Sequence, residues 1–260
     1  MDKYFKLARP DGFDFYTGKT INYRENIGKV VSPPKPNKDL GLCSSGLIHA
    51  SKDINDCFVG AKIPCSAYVV EGEPVLSDND KSGFNELKVI EEITDLDAAF
   101  GWKYTEAINP INPLKIKAIL TEKHKELLKQ WGQVRGQVWD EVWGQVRGQV
   151  RGQVRGQVRG QVWGEVWGQV RGQVWGQVRG QVRGQDWGQV RSYAISLMRI
   201  KWDNDQYPLQ AGVDLWKDGF IISFDGTTWR LHAGEQADVV YEYKKVEGNM
   251  KIGREHEINY

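Results

Sequence analysis

Nowhere does the chain hold 18 consecutive apolar residues, and its start, MDKYFKLARPDGFDFY, lacks the apolar stretch of a secretory leader. Neither membrane spanning nor secretion is therefore expected. Cysteine is scarce: Cys43, Cys57 and Cys65 are an odd number with no dense framework, which fits a reduced, cytoplasmic setting. Dense basic runs are missing too. With 35 Lys and Arg against 34 Asp and Glu, the net charge is +1, so charge alone does not point to nucleic acid. No stretch spells out a reaction, and neither an enzyme activity nor a cofactor is expected.

What the chain has in excess is a four-residue repeat. From Trp131 to Arg191 it cycles through Trp or Arg, Gly, Gln and Val, and VWDEVWGQVRGQVRGQVRGQVRGQ (138–161) recurs almost unchanged at 162–185. In a strand, Val and Gly would share one face. Asp140 occupies a Gly slot between Val138 and Val142, where a strand would turn its carboxylate toward the valines; an unpaired charge there is costly. In a helix the Gly slot lies about 200° from Val and faces solvent. The flanks TEKHKELLKQW and Val190, Ala194, Leu197, Met198 keep helical spacing. A helical array is favoured, with a β-solenoid as the alternative.

Glycine opposes that helix, costing about 1 kcal/mol per interior site relative to alanine. The expectation is that close backbone packing at the glycines offsets the cost. A second difficulty is phase, because four residues turn an α-helix through about 400° and the valine stripe drifts by about 40° per repeat. The array must then supercoil right-handedly or break into shorter helices.

The variable slot carries the candidate binding residues: Trp139, Trp143, Arg147, Arg151, Arg155, Arg159, Trp163, Trp167, Arg171, Trp175, Arg179 and Arg183. Trp and Arg are enriched in interface hot spots, and neighbours four apart can make cation–π contacts. Self-association or a protein partner is the leading expectation. Nucleic acid, stacked on tryptophan between cations, is the alternative.

Before the array, GKVV and PCSAYVVEGEPVL read as short strands, GFDFYTGKTINY as another, and NELKVIEEITDLDAAFGW as a strand followed by a helix. NPINP (109–113) closes this part. Cys43, His49, Cys57 and Cys65 include the donors of a tetrahedral zinc site, but at spacings of five, seven and seven they match no paired-ligand pattern such as C-x2-C. Ordinary buried thiols are the expected reading.

The order GFDFYTGKT, LCSSGLIHAS and AYVVEGEPVLSDNDKSGFNELKVIEEI resembles an uncharacterised domain of bacteriophage and bacterial proteins that commonly continues into short tandem repeats. Ile48 lengthens the C-x-x-G-[FL]-H-A core by one residue, and Ser51 stands where many relatives have Cys. GLIHAS also resembles a strand of ADP-ribosyltransferase-like folds, which implies a nucleotide-binding or catalytic head. After the array, DLWKDGFIISFDGTTWRLHAG resembles the tail that follows repeats in the same phage-type proteins. YPLQAGVDLWKDG predicts a helix ending at Gly219. FIISFDGTTWRLHAG predicts a hairpin turning at Asp225-Gly226, with Asp225 and His232 as surface turn residues.

The fold class expected is α+β, in three parts: an α+β head over 1–113, a helix and repeat array over 114–200, and a helix with a β-hairpin cap over 201–260. The function expected is that of a phage-type accessory protein acting as an interaction scaffold. Nucleic-acid or nucleotide binding, and an ADP-ribosyltransferase-like head, are the alternatives.

Overall fold

The computed structural model describes residues 2–37, 39, 41–134, 156–182, 187–198, 200, 202, 206–244 and 254–255. The chain divides into two compact units, Met1–Ile108 with Val154–Glu165, and Asn109–Gln153 with Val166–Tyr260. Both combine helices with antiparallel sheet, so the fold is α+β.

The first unit holds strands β1 (Lys3–Ala8), β2 (Val30–Val31), β3 (Ile48–Ala50), β4 (Ser66–Glu71), β5 (Leu76–Ser77), β6 (Ser82–Phe84) and β7 (Leu87–Ile93), then helices α1 (Leu96–Phe100) and α2 (Tyr104–Ile108). One sheet runs β1-β4-β7-β2 and a second β3-β6-β5. Reciprocal hydrogen bonds between Phe5 and Ser51, at 2.7 and 3.0 Å, tie the edge of β1 to the end of β3. In β1, paired to β4, Tyr4 faces Val70, Lys6 faces Tyr68 and Ala8 faces Ser66. These alternate residues share one face, and Tyr4, Ala8, Tyr68 and Val70 belong to the core with Tyr23, Ile48, Phe84 and Leu87. A lysine thus points the way the core points.

GFDFYTGKTINY is not a strand. Only an isolated bridge, Phe13 to Asn22, is formed, and the intervening chain is wound around one carboxylate. Asp14 accepts from the Thr17 amide and hydroxyl at 2.7 and 2.8 Å and from the Thr20 and Ile21 amides at 3.3 Å. The aromatic–polar alternation suggested a strand, but an aspartate that can satisfy successive amides competes with any ladder.

The second unit contains helix α3 (122–134), the described repeat from Val166 onward, helices α6 (Trp187–Ser196) and α7 (Gln210–Lys217), and a sheet in the order β11-β10-β9-β8, formed by β8 (Ile221–Phe224), β9 (Thr228–Ala233), β10 (Asp238–Lys244) and β11 (Arg254–Glu255). Gly219, two residues beyond α7, takes φ +88°, the left-handed conformation that ends helices. The hairpin turns one residue later than expected. Phe224 pairs with Trp229, and the Asp225 amide bonds Thr228 O at 3.3 Å, so Gly226-Thr227 forms the tip and Gly226 takes the positive φ of +100°.

Between 156 and 181 the repeat is helical: α4 (Gly156–Val170), a π-helical turn at Arg171–Trp175, and α5 (Gly176–Gln181). The π turn addresses the phase problem. Its i→i+5 bonds put more residues in each turn, so it falls behind where an α-helix runs ahead of a four-residue period. Val166, Val170, Val174, Val178 and Val182 are accordingly all buried, none more than 2% exposed. The helix then stops, with Val182 extended at φ −117°.

Gly164, Gly168, Gly172, Gly176 and Gly180 are not packing positions. A Cβ added at any of them would meet nothing within 4 Å. Valine takes the contact, and the glycine slot half a turn away is left open. Close approach occurs instead at Gly132, where a Cβ would lie 2.7 Å from Tyr243 Oη, and at Gly212, where it would lie 2.4 Å from Trp131 Cζ3.

Candidate functional site

A cleft of about 810 Å³ opens in the first unit. It is walled by Leu47, Ile48, Ala50, Val59 and Ala61 from the segments around β3, by Pro33 and Pro34, and by the Asp14 loop with Tyr16 at its rim. Its polar side chains include Lys6, His49, Cys43, Cys57, Lys35, Lys81, Thr17 and Thr20, and Asp14 and Asp56 are its carboxylates. Apolar walls with a few convergent polar groups are the usual composition of a small-molecule site. A second cleft, about 620 Å³, is lined by Asp2, Asp56, Glu73, Asp78 and Asp80 with Lys52 and Lys81. Apart from Tyr4 and Pro74 its lining is polar or glycine, a poorer wall for an organic ligand.

Lys6 is the unusual group of the larger cleft. Its ammonium donates to His49 O at 2.8 Å and stands 5.6 Å from the centroid of the Tyr23 ring. Among the described residues no carboxylate forms an ion pair with it. Burial pulls its pKa below the ordinary lysine value, and Coulombic attraction, Asp14 included, only partly opposes that. Asp14 is committed elsewhere: burial would raise its pKa, but the bonds from Thr17, Ile21 and Thr20 outweigh it and hold the carboxyl below the usual range.

The four metal candidates do not form a metal centre. Cys43, His49 and Cys57 line the cleft, whereas Cys65 is not part of its lining. No group of three or more His, Cys, Asp or Glu among the described residues could hold a metal ion. Each has a separate role. Cys57 donates to Phe5 O at 3.1 Å, and burial pushes its thiol up to about 11. Burial pushes Cys65 to about 12, and its amide and carbonyl both bond Tyr104 Oη, at 2.7 and 2.8 Å. Cys43 is exposed, with Lys81 Nζ 3.0 Å from its sulfur. His49 bonds Leu42 O through Nε2, and burial lowers its pKa. It is a neutral ring whose Nε2 carries the proton.

Of the array candidates, the structure brings together Arg171, Trp175 and Arg179. Both guanidiniums stand over the Trp175 ring, at 5.6 and 5.0 Å from the ring centroid, one four residues before it and one four after. Trp175 is itself buried, 8% exposed, while Trp163 and Trp167 are half-buried and Arg171 and Arg179 exposed. Its ring is thus occupied by its own neighbours. Trp139, Trp143, Arg147, Arg151, Arg155 and Arg183 lie outside the described residues, as does the side chain of Arg159 and the strand-or-helix argument at Asp140.

Sequence reasoning passed over three functional or structural polar residues. Lys6 was detectable, because YFKLA places a lysine in alternation with Tyr4 and Ala8. Gln189 was not, since it occupies the same slot as the exposed Gln173, Gln177 and Gln181. It is 1% exposed and clamps three elements: Nε2 donates to Gly212 O and Phe220 O at 3.2 and 3.0 Å, and Oε1 accepts from the Ile222 amide at 2.9 Å. His232 is not a turn residue. It lies in β9, 8% exposed, with Nδ1 on Ala237 O at 2.9 Å and Nε2 2.7 Å from Ser223 Oγ. Such a Ser–His pair has the spacing of a nucleophile and base, but Ser223 is 3% exposed and a carbonyl, not a carboxylate, orients the ring. We read it as a structural pair. Asp225 does serve the turn, accepting from the Thr227 and Thr228 amides and from Arg230.

No helix among the described residues is long and apolar enough to cross a membrane. The chain matches no protein-family model, no curated protein and no solved structure.

Proposed function

We propose that the chain is a binding protein whose first unit takes a small organic ligand in the cleft beside β1 and β3. The observation that carries this reading is the cleft itself. About 810 Å³ of space between apolar walls is set with an enclosed lysine, a neutral histidine and two hydroxyl-bearing threonines, Thr17 and Thr20. Nothing in the lining requires a reaction: Cys57 is held as a thiol by burial, and the neutral His49 has no nucleophile assigned to it.

The test is a fluorescence titration of the full chain with the neutral dye N-phenyl-1-naphthylamine, beside the variant Ser45→Trp, which narrows the cleft from an exposed wall position. The reading predicts saturable binding at one site, weakened about tenfold or more in the variant. Absent binding, or binding unchanged by Ser45→Trp, would remove the cleft from consideration.

The repeat supports a second reading, as an interaction scaffold that is self-associating or holds a protein partner. In its favour, Val166, Val170, Val174, Val178 and Val182 are turned inward while Gly168, Gly172, Gly176, Gly180, Arg171 and Arg179 are exposed, so this stretch presents an outer face that a partner could meet. The cover over Trp175 argues against base stacking there. Static light scattering decides self-association, and a strict monomer with no partner in a pull-down would sink the scaffold reading.

A further inference from the structure

We propose that the ligand of this cleft carries an anionic group, a carboxylate or a phosphate ester, joined to a planar ring, with the anion on Lys6 Nζ and the ring against Tyr16 at the rim. The inference rests on the cleft being the binding site. It starts from an imbalance of charge. An ammonium has three donors, and among the described residues Lys6 uses one of them, on a neutral carbonyl, with the face of Tyr23 as its other compensation. An enclosed charge without a counter-charge is costly unless something neutralises it. Asp14 does so only in part and without contact, because its oxygens are held by the loop amides and the Thr17 hydroxyl and make no ion pair with the ammonium. The group that does so in full can enter only through the cleft that Lys6 lines. Lys81, also in that lining, adds a second positive charge toward an incoming anion.

The ring is inferred from the rim. Tyr16 is 84% exposed, a large aromatic left bare in a lining to which the exposed Pro34 also belongs. A bare aromatic offers a flat ligand a stacking surface at little entropic cost.

The experiment compares two dyes of similar shape on the full chain, 1-anilinonaphthalene-8-sulfonate, which is anionic, and N-phenyl-1-naphthylamine, which is neutral. The anion should bind about tenfold more tightly or better, as a charge-assisted hydrogen bond implies. Lys6→Met should abolish that preference, bringing the two dyes to similar affinity, and Lys6→Arg should keep it. Equal affinities in the native chain, or a preference that survives Lys6→Met, would overturn the anion site while leaving the cleft standing. Failure of both dyes to bind would overturn the cleft and this inference together. Should Lys6→Met lose its fold by circular dichroism, displacement in the native chain decides. Benzoate or phenyl phosphate should compete about tenfold better than benzyl alcohol, and whichever of the two competes better identifies the anion. Equal competition by all three would refute the proposal.

Discussion

The Trp131 ring lies directly on the backbone of Gly212, so close that a Cβ there would come within 2.4 Å of Cζ3. The ring is fully buried, as a large rigid group without room to move. Gly212→Ala should therefore destabilise the second unit by about 1–3 kcal/mol, the usual cost of overpacking. The repeat glycines predict the reverse. Gly168→Ala and Gly176→Ala place a methyl group in open space on a helix, and each should stabilise by about 0.5–1 kcal/mol. Urea unfolding followed by tryptophan fluorescence gives both signs, and a loss of stability at 168 or 176 would show that the glycine face is packed.

Gln189 closes a junction between α6, α7 and β8. Gln189→Leu keeps much of the volume but strands two carbonyls and an amide, and should cost about 3 kcal/mol. Gln189→Glu should also destabilise, since two carbonyls then face an oxygen where they need a donor. The same substitution to leucine at Gln177, which is exposed with a single bond from Asn112, should cost less than about 1 kcal/mol. Equal effects at the two sites would contradict the assignment of Gln189 as the clamp.

His232 and Asp14 each contribute to the acid side of stability. Burial holds the His232 pKa below its ordinary value of about 6.5. The unfolded chain then binds the proton more readily, so stability is full above about pH 6.5 and falls as pH drops through the lowered folded value. Asp14 acts the same way further down: its folded pKa is depressed, so its contribution is complete above about pH 4 and is lost on further acidification. His232→Gln should lessen the loss between neutrality and pH 5, leaving the part due to the likewise lowered His49, and should not touch the lower step; Asp14→Asn should lessen only the lower step, which Glu92 and Asp225 share. Thermal midpoints across pH separate the two.

The cysteines should divide by reactivity. At pH 8 a thiol raised to about 11 or about 12 is almost wholly protonated; Cys65 is also buried and Cys57 half-buried, so both should resist iodoacetamide in the folded chain. Exposed Cys43 should be alkylated first. Mass spectrometry of the partly labelled protein reads this directly, and early labelling at Cys57 would mean that the cleft wall opens.

Local pattern carried some of this structure and failed at identifiable places. The valine period and the end of α7 at Gly219 could be read from short windows, because each depends on neighbours within a turn or two. GFDFYTGKTINY misled because alternation records side-chain chemistry and not which acceptor claims the backbone amides. The glycine slots misled in the other direction: a small residue permits close packing without requiring it, and only the position of the valines decides which face is covered. Gln189 and Gln177 carry the same letter in the same slot, and what distinguishes them is the chain around residues 212–222, outside any local window. The cleft was illegible for a similar reason. Its lining comes from β1, the Asp14 loop, the proline segment and the chain around β3, and only Lys6, set inward between Tyr4 and Ala8, could have been noticed from sequence.

The central claim is that the cleft is the binding site, with an anion on Lys6. Backbone amide NMR of the isotope-labelled full chain, titrated with phenyl phosphate, tests it most directly. The account predicts saturable shifts confined to residues around Lys6, Thr17, Ser45 and His49, and lost in Lys6→Met. Shifts centred on Arg171 and Arg179, or none around the cleft at saturation, would contradict it.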